Sequence, residues 1–132
     1  MTGAAPAAVA GGPRLLLRIE GAALFAVATF AYERTGAGWW LYVILFLAPD
    51  LSFLAYLAGA RAGAIVYNAL HTTIGPIVLA AVGVLGPLPL ALAVALIWAA
   101  HIGLDRALGY GLKYFAGFGF THLGRIGRAA RE

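Results

Sequence analysis

The sequence predicts an all-α integral membrane protein, a four-helix bundle with its N- and C-termini in the cytoplasm. Three observations carry this: 63% of the 132 residues are hydrophobic, only 11% are charged, and the apolar residues fall into four runs of spanning length. A soluble domain carries about 25% charged residues, and a short soluble chain needs helices with one polar face. These runs are apolar all round, which excludes a small soluble core and implies a lipid surround.

Residues 1–12 have no charge and no periodicity and are expected to form a flexible N-terminal tail. Residues 13–109 hold the four spans, at 13–32, 39–58, 62–84 and 87–108, each about the 20 residues that cross a ~30 Å hydrocarbon layer. The connections at 33–38, 59–61 and 85–86 are short, so consecutive helices must run antiparallel. Arg14 and Arg18 precede the first apolar run as in a signal peptide, but Glu20 interrupts that run and no small-residue cleavage site follows. It is therefore expected to be a retained span. Residues 110–132 are basic and aromatic and are expected to lie along the inner interface.

Orientation follows from basic residues. With four spans, Arg14, Arg18, Arg61, Arg106, Lys113, Arg125, Arg128 and Arg131 share one side, and only Arg34 is on the other. Eight against one predicts the first side to be cytoplasmic. The net charge of +4 is accounted for by this rim beside anionic lipid and calls for no nucleic acid. Membrane lipid is the expected partner, and the sequence is compatible with a homo-oligomer. Trp39, Trp40 and Tyr42 fit an outer aromatic belt; Tyr110, Tyr114, Phe115, Phe118 and Phe120 fit an inner one. Ala55, Gly59 and Gly63 recur every four positions and are expected to favour close helix contact.

The chemistry resides in ionisable residues within the apolar runs: Glu20, Asp50, His71, His101 and Asp105. A charge at bilayer depth costs roughly 2.5–3.5 kcal/mol on insertion scales, so such residues are rarely idle. Taken at 1.5 Å per residue, all five fall in the cytoplasmic half, and the outer halves hold none. His101 and Asp105 lie one turn apart on one face; Tyr67, Asn68 and His71 share a face of the third span. Pro49, next to Asp50, and Pro76, after His71, are expected to kink their helices.

Imidazole and carboxylate in that mixture suit zinc, iron or manganese. His71, His101 and Asp105 are the favoured ligands. Asp50 is assigned as a fourth ligand or general base, and Glu20 as a base or a hydrogen-bond partner of a ligand. Ser52, Tyr67, Asn68, Arg106, Lys113 and His122 are candidates to meet a lipid head group or to hold the ligands in place. The plainer alternatives are ion pairs of Asp50 with Arg61 or Arg106, a solvated Asp105, Glu20 paired with Arg18, a free surface His122, and histidines bonded across helices. The chain contains no cysteine, which excludes disulfides and thiolate chemistry.

The segments Leu17-Arg-Ile-Glu-Gly21, Ala48-Pro-Asp-Leu-Ser52, Tyr67-Asn-Ala-Leu-His71, His101-Ile-Gly-Leu-Asp-Arg106, Gly109-Tyr-Gly-Leu-Lys-Tyr114 and Thr121-His-Leu-Gly124 resemble the motifs of a family of small bacterial membrane proteins. It is catalogued as domain of unknown function 4260. The resemblance implies a compact four-span protein of the bacterial inner (cytoplasmic) membrane, with these polar motifs as hallmarks, and implies no activity. Three readings stay open: a metal-dependent membrane-embedded hydrolase acting on a lipid-like substrate, a non-catalytic lipid- or cofactor-binding or structural subunit, and a component of a proton, cation or small-solute transporter. The lack of polar residues in the outer halves counts against the last, which needs polar steps throughout.

Overall fold

The computed structural model describes residues 7–131. Four helical segments are long and apolar enough to cross a membrane: Gly11–Thr35, Trp39–Ala58, Ala60–Leu85 and Pro89–Leu108. The expected all-α bundle is found. Its span boundaries fall within three residues of those read from the sequence. Residues 1–6 of the expected tail lie outside the described residues, and the first helix already begins at Gly11.

Two spans are continuous. α1 (Gly11–Thr35) ends on Gly36 at φ 70°, a left-handed conformation that glycine adopts without a Cβ clash. The other two spans are broken. α2 (Trp39–Phe46) gives way to a 3-10 helix, Ala48–Ala58, with Pro49 in its first turn. At about 2.0 Å rise per residue this stretch reaches farther than an α-helix of equal length. α3 (Ala60–His71) and α4 (Ile74–Leu85) are separated by Thr72, whose backbone is extended at φ −81°, ψ 150°. Pro76 explains that break: it has no N–H to give, and its ring clashes with the carbonyl four residues earlier, that of Thr72.

α5 (Pro89–Leu108) is the most buried span and packs against α1, α2 and α4, while α3 packs against the 3-10 helix. Glycine sets the closest approach. A Cβ at Gly21 would lie 2.7 Å from the Gly103 carbonyl oxygen, and one at Gly103 would lie 2.5 Å from the Phe25 nitrogen. The interior is otherwise largely alanine, with Ala28, Ala64, Ala93, Ala95 and Ala100 buried. Large side chains such as Leu16, Val27, Phe30, Ile44, Leu54 and Val78 point outward. That distribution, small inside and large outside, is what helix association in lipid favours.

Two sequence expectations change. Gly59 is a turn residue at φ 116°, between the 3-10 helix and α3, so it does not continue a helix-contact stripe; of the two glycines, Gly63 is the one that meets a neighbour, the Tyr56 ring. Tyr42 turns inward from the expected belt, edge-on to Tyr32 at 5.1 Å and stacked on Phe46 at 5.4 Å. The C-terminal segment has a fold of its own. It caps the bundle end with a hairpin of β1 (Phe120–Thr121) and β2 (Gly124–Arg125), followed by a 3-10 turn, Gly127–Arg131. Leu123 is fully buried, its carbonyl accepts from Arg14 Nε, and Val9 N–H donates to the His122 carbonyl at 2.8 Å.

Candidate metal centre

Asp50, His71, His101 and Asp105 converge, each offering one ligand atom, with all four atoms within 4.8 Å of one another. Each comes from a particular local device. Asp50 sits in the first turn of the 3-10 helix, directly after Pro49. His71 is the last residue of α3, at the break that Pro76 enforces. His101 and Asp105 are one turn apart on continuous α5 and face inward together. His101 lies seven residues before the end of α5, or about 10 Å from that end. The centre is therefore in the half of the bundle that carries the basic residues and the hairpin.

The distances are short and even. His71 Nε2 lies 3.3 Å from Asp50 Oδ1, 3.5 Å from Asp105 Oδ2 and 3.2 Å from His101 Nε2. His101 Nε2 lies 3.3 Å from Asp50 Oδ1 and 3.2 Å from Asp105 Oδ2. A tetrahedral zinc with bonds near 2.0–2.1 Å has ligand–ligand edges of about 3.3–3.5 Å. Five of the six separations match that edge.

The hydrogen count at this point decides what the centre can hold. His71 Nδ1 donates to the Tyr67 carbonyl at 2.8 Å, which places the ring hydrogen there and leaves Nε2 bare in the neutral imidazole. The Tyr67 ring stacks on that imidazole at 3.8 Å between centroids, with 8° between planes. His101 has no partner at Nδ1 among the described residues, and its ring is set by edge contact with Phe46 at 5.4 Å. Two neutral rings thus bring at most one hydrogen, that of His101, to four acceptor atoms, two of them carboxylate oxygens. Acceptors so crowded repel in low dielectric unless positive charge sits among them. The histidines are 3% and 2% exposed; Asp50 and Asp105, at 31% and 19%, open toward a cavity.

That cavity is about 380 Å³ and is lined by Asp50, Tyr67, Asp105, Lys113, Phe118 and Ile126, among others. Lys113 is only 4% exposed. Its backbone is clamped in both directions by Asn68, which donates to the Lys113 carbonyl at 2.8 Å and accepts from the Lys113 N–H at 2.7 Å. Its Nζ donates to the Phe118 carbonyl at 2.8 Å and lies over the Phe118 ring at 3.6 Å. Burial pushes the ammonium down to about 8, with Asp105 and Asp50 opposing that shift.

The remaining candidates have other tasks. Glu20 does not join the centre: it is exposed on α1, because its neighbour Gly21 is the residue turned into α5. One residue of helix rotates a side chain by about 100°, so the two cannot face the same way. Nor does Glu20 pair with Arg18, whose Nε donates to the Ala107 carbonyl at 2.8 Å. Arg106 donates to the His71 carbonyl at 3.3 Å, satisfying a group that the helix break leaves open. Ser52 is buried with its hydroxyl unpartnered among the described residues. His122 neither reaches the centre nor stands free at the surface. Its Nδ1 accepts from the Leu112 N–H at 2.9 Å, and burial with the nearby Arg106 charge lowers its pKa.

One residue escaped sequence reasoning. Trp98 donates from Nε1 to the Leu70 carbonyl at 2.6 Å, bracing the same break from the other side. Its spacing three residues before His101 was the available signal. No curated protein and no solved structure matches the chain. The family model described as "Domain of unknown function (DUF4260)" matches residues 14–126, most of the sequence, so the chain belongs to that family.

Proposed function

We propose that this protein is a metal-dependent hydrolase embedded in the bacterial inner membrane, acting on a lipid-like substrate from the cytoplasmic side. The observation that carries the reading is the convergence of four acceptor atoms, 3.2–3.5 Å apart in five of six pairs, beside a cavity. His71, His101 and Asp105 would hold zinc, iron or manganese. Asp50, the most exposed of the four, would act as a fourth ligand or as the base that takes a proton from water. A divalent ion in such a site lowers the pKa of bound water to about 7 and polarises a carbonyl or phosphoryl oxygen. Tyr67 holds the His71 ring by stacking and through its carbonyl. Arg106 and Asn68 brace the backbone of His71 and Lys113 from outside the reacting volume.

The test is elemental analysis of detergent-purified protein, paired with metal-dependent release of water-soluble head group or free acid from lipid extract. Wild type is expected to hold about one metal per chain, and His71→Ala, His101→Ala and Asp105→Asn to lose it while remaining folded. Occupancy should fall in acid, where protons compete with the metal for the imidazoles. A metal-free wild type that takes none up on titration rejects the reading. For orientation, a reporter at the C-terminus should be cytoplasmic and one inserted near Gly36 external.

A second reading has its own support: four protein ligands are the number that closes a structural site. A non-catalytic lipid- or cofactor-binding subunit would bind metal as tightly and release nothing from lipid.

A further inference from the structure

The centre lies between two spaces of opposite character. On its apolar side is a groove of about 220 Å³, lined by Leu45, Pro49, Leu70, Val94, Ile97 and Trp98 with one alanine. Pro49 and Leu70 immediately precede Asp50 and His71. On α5 the order is continuous: Val94, then Ile97 and Trp98, then His101, then Asp105. Steps of three and four keep these residues on one helix face. Val94 lies about 10 Å deeper than His101, and Asp105 about 6 Å nearer the interface, at 1.5 Å per residue. The polar cavity with Lys113 begins where that face ends.

Charge distinguishes the two ends. If a divalent ion fills the centre, it balances the two carboxylates, Asp50 and Asp105. Among the described residues Lys113 then stands as a buried cation with no carboxylate within salt-bridge distance; its Nζ donates to the Phe118 carbonyl and lies over the Phe118 and Tyr67 rings. A buried cation without a counterion is costly, and an anionic ligand relieves that cost. The groove offers no polar function, because the Trp98 N–H is already committed to Leu70.

We propose that the substrate is a single-chain anionic amphiphile, its hydrocarbon chain in the Val94–Ile97–Trp98 groove and its anionic head in the Lys113 cavity, so that the head–chain junction lies against the metal centre. The assignment rests on the hydrolase reading for its account of the centre, but its two binding ends can be tested without turnover. The groove, about 220 Å³ and lined from spans 2, 3 and 4, has room for one chain. Lys113 selects the head.

Trp98 is the reporter. In full-length protein carrying Trp39→Phe and Trp40→Phe, Trp98 is the remaining tryptophan. Quenching of its fluorescence is measured with chain-brominated dodecyl phosphate, and with a neutral glycoside bearing the same brominated chain. The phosphate amphiphile should quench saturably, at a concentration about tenfold or more below the glycoside, as one charge-assisted contact provides. Lys113→Gln should erase that preference and Lys113→Arg retain it. Val94→Phe, which fills the groove, should abolish saturable quenching by both probes. Inorganic phosphate should compete only weakly; competition as strong as dodecyl phosphate's would overturn the role of the chain. Equal, non-saturable quenching by both amphiphiles would overturn the proposal. Metal content is read on the same samples. Saturable, Lys113-dependent quenching of metal-free protein sustains the amphiphile site and rejects the hydrolase; metal without saturable quenching overturns the amphiphile site and leaves the metal centre standing.

Discussion

The two continuous spans and the two broken ones follow different rules. α1 and α5 lie against each other through Gly21 and Gly103, with backbone close to backbone at that crossing. Spans 2 and 3 are interrupted, at Ala48 and at Thr72, beside residues whose polar atoms then turn inward. An unbroken helix satisfies its own backbone and needs no help in lipid, whereas a broken one leaves carbonyls that something must meet. Here Trp98 meets Leu70 and Arg106 meets His71. Both donors come from α5. The continuous span thus supplies half of the ligands and also the supports that let its neighbour stay broken.

The sharpest way to break this comparison is to disturb the continuous pair. Gly103→Leu places side-chain atoms where a Cβ alone would meet the Phe25 nitrogen at 2.5 Å. Overpacking of this kind commonly costs about 1–3 kcal/mol, and a backbone clash puts it at or above the top of that range. Unfolding in mixed micelles should show the loss, and metal should disappear along with the fold. Unchanged stability would mean that the two helices do not pack through glycine.

Pro76→Ala should act in the opposite way. The restored N–H permits α3 to run into α4, leaving stability equal or higher while His71 swings out of register. Metal affinity should fall about 10- to 100-fold, the range seen when the support of a ligand is lost. A variant that gains stability and keeps full affinity would show that the break is not what aims His71.

Trp98→Phe keeps the packing but strands the Leu70 carbonyl, for a cost of about 1–3 kcal/mol. Thermal unfolding measures it, and Glu20→Gln, on the exposed face of α1, should show no change in stability or metal. A separate effect is a pH dependence. Lys113 has a folded pKa of about 8 against an ordinary 10.5. Between those values the unfolded chain binds more protons, so stability must rise with pH. The destabilisation is fully present below about 8 and relieved toward 10.5. Wild type should therefore gain on Lys113→Met across that window; a constant difference would mean that Lys113 is solvated.

Much of this was legible before any coordinates, for a physical reason. Apolar solvent makes every ionisable residue conspicuous, and helical rise converts sequence position into depth. Asp50, His71, His101 and Asp105 could be placed at one level that way. Depth carries no azimuth, however, and Glu20, at a suitable depth, faces away. Gly21 beside it held the correction, since the smallest residue marks the face that touches another helix. The hairpin after Gly109 was not legible at all. Its strands are two residues long, too short for alternation to show, and it is held by contacts to distant residues such as Asn68 and Arg14.

The partnership of α1 with α5 has a consequence for the order of assembly. The first span to enter the bilayer finds its main partner only when the last one arrives, and Gly21 stays uncovered until then. Asp50 and His71 wait too, since His101 and Asp105 are on that final span. The four-residue centre can be completed only after Asp105 has been synthesised, and the Lys113 cavity closes later still, when the hairpin settles onto the N-terminal segment. A truncated or stalled chain would therefore be inserted with its centre unfinished. A complete centre becomes a check that synthesis has run past the last span.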